Sequence, residues 1–169
     1  MSVMRDRDAA KNTQPGGGNS TFSETTMGGT ELAGQSLQPR VEEARTLGRI
    51  LLVEDDASLA RLEAGILAAR GYAVAIANSG EMAITTLHQT IPDLVLLDLD
   101  LSGGITGWDV LRDLRSYSSA PVLLTSSESA VRRQIRTQGE PRSTLDHLPK
   151  PYPMQALLKR IERMLAITP

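Results

Sequence analysis

The sequence predicts a three-layer α/β fold: a doubly wound, five-stranded parallel sheet with helices on both faces. Three observations predict it. The apolar runs Ile50-Leu51-Leu52-Val53, Leu94-Val95-Leu96-Leu97 and Val122-Leu123-Leu124 are too uniformly apolar for strands wetted on one face. Stretches with apolar residues at helical spacing stand between them. The alternation of strand and helix repeats five times from Arg49 onward, as it does when βα units build one parallel sheet.

Taken in order, the first strand opens at Ile50 and the first helix follows over Ala57 to Arg70. Asp56 or Ser58 is its cap, Leu59, Leu62, Ile66 and Ala69 its apolar stripe, and Gly71 its stop. Ala73 to Ala77 is the second strand, and Ser79 caps a helix that runs through Leu87. Pro92 leads into the third strand, and the turn Gly103 to Gly107 precedes a third helix over Trp108 to Ser116. Pro121 introduces the fourth strand. A polar fourth helix spans Ser129 to Gln138 with Val131 and Ile135 inward, and the fifth strand lies near Leu145 to Leu148. The last helix, Pro153 to Leu165, carries Met154, Leu157, Leu158, Ile161 and Met164 on one stripe.

The chain has 169 residues, 40% of them hydrophobic, enough for one ordinary domain with some length left over. Residues 1–47 supply that excess. Their few apolar positions follow no period, and Gly16-Gly17-Gly18 and Gly28-Gly29 interrupt them, so they are expected to be a disordered extension with a short helix over Val41 to Leu47. The glycine triplet reads as flexible linker, because no apolar strand precedes it and no Lys-Ser/Thr follows. Residues 48–169 form the domain, and no second domain is expected after the last helix.

Eighteen basic residues against twenty acidic ones give a formal charge of −2, which offers no broad cationic surface for a phosphate backbone. Direct nucleic-acid binding is therefore not expected. The absence of cysteine excludes disulfides and thiolate metal sites. No secretory signal and no apolar stretch of membrane-spanning length is present, so a cytoplasmic protein without membrane insertion is expected.

In an open parallel sheet the ligand site lies beyond the carboxyl ends of the strands, where strand order reverses. The first strand is followed there by Glu54, Asp55 and Asp56, the third by Asp98 and Asp100, the fourth by Thr125, Ser126 and Ser127, and the fifth by Lys150. If the first and third strands are neighbours, three or four carboxylates share one crevice. Carboxylates packed so closely repel unless a cation holds them, and an all-oxygen donor set with few protein ligands suits Mg²⁺. A lysine and a hydroxyl beside such a metal complete a cradle for a phosphoryl group.

These residues carry a resemblance. ILLVEDD (50–56), DLVLLDLDLSGG (93–104), APVLLTSS (120–127) and LPKPY (148–152), in this order and at these strand ends, resemble the receiver domain of bacterial two-component response regulators. The resemblance covers about seven tenths of the chain and implies the flavodoxin-like strand order 2-1-3-4-5. It implies Asp98 as the acceptor of a phosphoryl group from a histidine kinase or histidine phosphotransfer protein. Asp55 is the implied direct ligand of Mg²⁺ and Glu54 a ligand through water, with Asp98 and the main-chain carbonyl of Asp100 completing the metal site. Lys150 would pair with a phosphoryl oxygen, and Lys150-Pro151 would be cis. Ser126, five residues after Pro121, is the implied switch hydroxyl, with Thr125 as the alternative. His147, three before Lys150, stands where the family most often has an aromatic side chain. The implied output surface is the fourth helix, fifth strand and fifth helix, which would meet a downstream protein target or pair into a homodimer.

The chain departs from the family pattern in four places. Ser102 replaces a proline, the turn after it is one residue longer, Asp100 adds a charge beside the acceptor, and Gly139 to His147 follows a different pattern. Other acids and aromatics have plainer readings: Asp56 is a helix cap, His88 a surface residue, and Trp108 a packing residue at a helix start. The rival function is a haloacid dehalogenase-like aspartyl-phosphate phosphatase, whose signature Asp98-Leu99-Asp100-Leu101-Ser102 resembles. In that family, however, the signature ends the first strand and an acidic pair follows the lysine. A non-phosphorylated interaction module is the third reading. The expectation is a stand-alone receiver without a DNA-binding output domain, a phosphoacceptor rather than an enzyme.

Overall fold

The computed structural model describes residues 46–166. The expected N-terminal extension and its short helix lie almost wholly outside the described residues. Five strands and five helices alternate: β1 Arg49–Val53, α1 Ala57–Ala69, β2 Ala73–Ala77, α2 Gly80–Gln89, β3 Leu94–Asp98, α3 Gly107–Arg115, β4 Val122–Ser126, α4 Val131–Gln138, β5 Leu145–Pro149 and α5 Met154–Ala166. All strand pairs are parallel and the order is β2-β1-β3-β4-β5. The chain therefore reverses direction across the sheet between β1 and β3, and their carboxyl ends are neighbours.

The alternation of side chains along each strand builds two cores. Leu51, Val53, Val95, Leu97 and Leu124 face α2, α3 and α4, while Ile50, Leu52, Leu96 and Leu123 face α1 and α5. Because β3 and β4 are covered on both sides, every one of their residues is buried, which is why their sequences are continuously apolar up to the site. The edge strand β2 is half exposed, and its sequence is correspondingly alanine-rich.

The first helix packs on a different stripe from the one its leucines suggest. Ala60, Glu63 and Leu67 are buried, whereas Leu62 is 59% exposed and Ala69 is also exposed. Two apolar stripes run along this helix, and the sheet takes the one through Ala60, whose small side chain permits close approach. The other helix signals hold. Asp56 caps α1 by accepting from the N–H groups of Ser58 (2.8 Å) and Leu59 (3.0 Å), and Ser79 caps α2 through Met82 N–H. Helix α3 begins with a capping box between Thr106 and Asp109. Helix α4 starts two residues later than expected, at Val131, without a side-chain cap.

The start of α3 presses on the end of β3. A Cβ on Gly107 would stand 2.4 Å from the carbonyl oxygen of Asp98 and 2.7 Å from Leu99 Cα, so only glycine lets α3 seat there. A Cβ on Gly65, in the middle of α1, would meet nothing within 4 Å. Gly107→Ala is expected to cost about 1–3 kcal/mol in urea unfolding, while Gly65→Ala gains up to about 1 kcal/mol from helix propensity. Equal effects at the two positions would contradict this packing.

Candidate functional site

The parallel register of β1 with β3 pairs Val53 with Leu97, so the residues that leave these strands, Glu54 and Asp98, emerge side by side. Glu54, Asp55 and Asp98 each offer a carboxylate oxygen, and all three oxygens lie within 4.8 Å of one another. Glu54 and Asp98 are each only 3% exposed. Lys150, at the end of β5, extends across the crevice: its Nζ donates to Asp98 Oδ2 at 2.7 Å and to Glu54 Oε2 at 3.3 Å. Lys150-Pro151 is cis.

The electrostatics follow the geometry. Burial, and then the charge of Asp98, push the Glu54 carboxyl above its ordinary value, against the pull of Lys150. Burial works to lower Lys150, but hydrogen bonds and charge from Asp98 and Glu54 outweigh it and hold the ammonium above its usual value. Asp55 is held below the usual carboxylate value, first by the Ser102 hydroxyl and then by the Ser102 N–H, which donates at 2.8 Å. The serine that replaces the family's proline thus supplies an N–H that proline lacks.

The loop after β3 is pinned from beneath. Leu99 and Leu101 are buried in the core, which turns Asp100 outward. The Asp100 N–H donates to Asp98 Oδ1 at 3.0 Å, and its carboxylate accepts from Ser127 N–H at 2.7 Å. Asp100 is therefore a strut between the β3 and β4 ends rather than a free loop charge. The two hydroxyls at the end of β4 separate. Thr125 is in register with Asp98 on β3. The hydroxyl of Ser126 instead pairs with His147 Nε2 at 3.2 Å. Burial, and then the Arg132 guanidinium, hold the His147 imidazole below its ordinary value and neutral at pH 7.

Three contributors escaped the sequence reading. Glu63 is buried on α1 and accepts from the Tyr152 hydroxyl at 2.8 Å. Its signal was its place four residues from both Leu59 and Leu67, on a helix face pointing inward. Arg115 donates to Glu140 at 2.9 Å and to the carbonyls of Ala120 and Thr144, both at 2.9 Å, so it pins the loops flanking β4 and β5. Asp146 is buried on β5 and paired with Arg160 and Arg163. The pairings of Arg115 with Glu140 and Thr144, and of Asp146 with Arg160 and Arg163, join residues 14 or more apart in sequence and leave no local signature.

The family model for the response regulator receiver domain matches residues 50–162. The chain belongs to the response regulator receiver domain family. It is 37% identical over 118 residues to the DNA-binding response regulator MtrA of Mycolicibacterium paratuberculosis, covering 69% of this chain and 51% of that protein. It is 35% identical over 117 residues to the regulatory protein VanRB of Enterococcus faecalis, covering 69% of this chain and 52% of that one. The receiver chain thus spans about half the length of these curated relatives. Among solved structures, the BeF3-activated receiver domain of Klebsiella pneumoniae RstA matches with a TM-score of 0.60 and 31% identity, over 69% of this chain and 97% of that one. The receiver domain of Francisella response regulator 1452 shares the fold with a TM-score of 0.63 at 21% identity, over 72% and 99% of the two chains. Among the described residues, no helix of the receiver is long and apolar enough to cross a membrane.

Burial raises the Glu63 carboxyl above its ordinary value of 4.5, although the Tyr152 hydrogen bond opposes it. Below pH 4.5 the group is protonated whether the chain is folded or not. As pH rises through 4.5 and the higher folded value, the unfolded chain releases its proton first and the native state loses stability. Glu63→Gln keeps an acceptor for Tyr152 and removes the charge. In urea unfolding across pH, the variant is expected to gain on the wild type from pH 4 toward neutrality. A difference that stays flat with pH would show that the buried carboxyl is not the cause.

Proposed function

We propose that this receiver, residues 48–169, accepts a phosphoryl group on Asp98 from a phosphohistidine of a histidine kinase or phosphotransfer protein. The observation that carries the reading is the crevice of Glu54, Asp55 and Asp98 with Lys150 reaching into it. Three converging carboxylates form a hard, all-oxygen donor set that fits Mg²⁺, with Glu54, Asp55, Asp98 and the Asp100 carbonyl as the groups that would hold it. Bound there, the ion would offset the mutual repulsion of the acids and the charge of the phosphoryl oxygens.

The chain's own residues do the rest. An Asp98 carboxylate oxygen forms the new bond to phosphorus as the phosphorus–nitrogen bond of the donor breaks, and the donor imidazole leaves and takes a proton. The Asp100 N–H orients Asp98 through Oδ1. Lys150, bonded to Asp98 Oδ2 beforehand, is in place to pair with a phosphoryl oxygen. The phosphoryl group then draws the Ser126 hydroxyl away from His147, and the freed imidazole changes the surface over α4, β5 and α5. Ser126 is preferred to Thr125 as the switch because it is the hydroxyl bonded to His147. Beside Lys150, Leu59, Leu62, Tyr152 and Met154 line an open apolar hollow, which suits the docking of a phosphodonor protein's helix. The output is a change in protein contacts, and the only turnover of its own is self-dephosphorylation.

Incubation with Mg²⁺ and acetyl phosphate, followed by intact mass measurement, is expected to add one phosphoryl group to the wild type and none to Asp98→Asn. Ser126→Ala is expected to accept the group, but its His147 ring signals in NMR should no longer respond to it. Labelling of Asp98→Asn, or steady release of phosphate from small phosphate esters, would overturn the reading.

A further inference from the structure

Lys150 reaches the acids from a short segment with few hydrogen bonds to hold it. Between the end of β5 and the start of α5 the chain runs Lys150-Pro151-Tyr152-Pro153. Neither proline has an N–H, so Lys150 and Tyr152 carry the only main-chain donors of the segment. The Lys150 N–H donates to the Ser126 carbonyl at 2.8 Å. A side chain supplies the segment's tie to α1: the Tyr152 hydroxyl donates to Glu63 Oε1 at 2.8 Å, across 89 residues of sequence. Glu63 is 2% exposed and shares the buried face of α1 with Ala60 and Leu67. The helix thus buries a carboxyl where an apolar side chain would cost less. Burial, and then the charge of Glu63, push the Tyr152 hydroxyl above its ordinary value, so it keeps its proton and is the donor. Helix α1 starts directly after Glu54, Asp55 and Asp56. The bond therefore joins the helix that follows the acids to the segment that carries the lysine. The Lys150 ammonium closes the ring, donating to Asp98 Oδ2 at 2.7 Å and to Glu54 Oε2 at 3.3 Å.

We propose that Glu63 and Tyr152 are a positioning pair for Lys150: their hydrogen bond fixes the segment from Lys150 to Pro153 against α1 and so sets where the ammonium stands over Asp98. The pair acts through the lysine and not on the phosphoryl group. A lysine is a point charge on a flexible four-carbon stem, so its base has to be held if its tip is to be placed. The ammonium must meet a phosphoryl oxygen as the bond from Asp98 to phosphorus forms, and a misplacement of about 1 Å in such a contact costs up to about a hundredfold in rate. The hydrogen bond carries the effect rather than the charge of Glu63, because the attraction of that charge for Lys150 is opposed by its repulsion of Asp98. The effect on phosphoryl transfer rests on the receiver reading; the placing of the lysine does not.

The test uses the full chain and has two arms. The first follows the rate of phosphorylation by Mg²⁺ and acetyl phosphate through intact mass, since so small a donor needs no protein docking. Tyr152→Phe, which removes a single oxygen, and Glu63→Leu are each expected to slow the reaction about tenfold. Glu63→Gln keeps an acceptor for the Tyr152 hydroxyl and is expected to stay within about twofold of the wild type. Lys150→Ala should be slower still, and adding Tyr152→Phe to it should change nothing further, as an effect carried by the lysine requires. The second arm reads the lysine without phosphorylation. The chain has three lysines, so ¹³C-lysine labelling gives three ε-methylene signals, and the one missing from Lys150→Ala belongs to Lys150. Its two ε-protons are expected to be distinct in the wild type and in Glu63→Gln, and to merge in Tyr152→Phe and Glu63→Leu as the side chain swings free. Three results would overturn the proposal: Lys150 signals unchanged in both Tyr152→Phe and Glu63→Leu, Glu63→Gln as slow as Glu63→Leu, or equal slowing by Tyr152→Phe with and without Lys150. A wild type that takes no phosphoryl group would overturn the receiver reading alone, and the lysine signals would still decide the positioning.

Discussion

Two buried carboxylates, Glu54 and Asp98, stand side by side because the β1–β3 register leaves them nowhere else to go, and the ammonium of Lys150 makes that placement tolerable. An uncompensated pair of buried charges would cost several kcal/mol. The interaction spans three strands: β1 gives Glu54, β3 gives Asp98, and Lys150 arrives from β5, on the far side of β4. The sheet order is therefore the means by which residues 96 and 52 apart in sequence come into hydrogen-bonding contact.

Around that core of charge, the loops are held more tightly than a loop reading of the sequence suggests. Ser102 donates twice to Asp55, and Asp100 joins Asp98 to the backbone of Ser127. Both residues are departures from the family pattern, and both add hydrogen bonds that hold the crevice in shape before any ligand arrives. Preorganisation of this kind reduces the reorganisation needed when charge is transferred into the site. The Ser126–His147 pair lies beyond that scaffold and links its rim to the arginine-rich face over α4, β5 and α5.

Much of this was legible from the residues. Continuous apolar runs marked the buried strands, and the polar residues just after them marked the site, because strand alternation and parallel order leave few positions for such groups. Asp56 and Ser79 were readable as caps by their place before apolar stripes. What was not legible arose from choices between near-equal local options or from distant pairing. Helix α1 carries two apolar stripes, and the sheet's need for a small residue at Ala60 decided between them, hiding Glu63 and exposing Leu62. Asp100, which the sequence shows only as an added charge beside the acceptor, became a strut because Leu99 and Leu101 bury on either side of it. Arg115 gave no signal, since the Glu140 carboxylate and the Thr144 carbonyl come near it only in the finished fold.

The central claim is that the acids at 54, 55 and 98 act as one receptor for a divalent cation. Titrating Mn²⁺ into the ¹⁵N-labelled protein, with Mg²⁺ as competitor, tests it most directly, since paramagnetic broadening falls steeply with distance from the ion. The account predicts saturable loss of the amide signals of residues 54–55 and 98–100 first, reversed by Mg²⁺. Broadening centred elsewhere, or spread evenly over the surface acids, would contradict it.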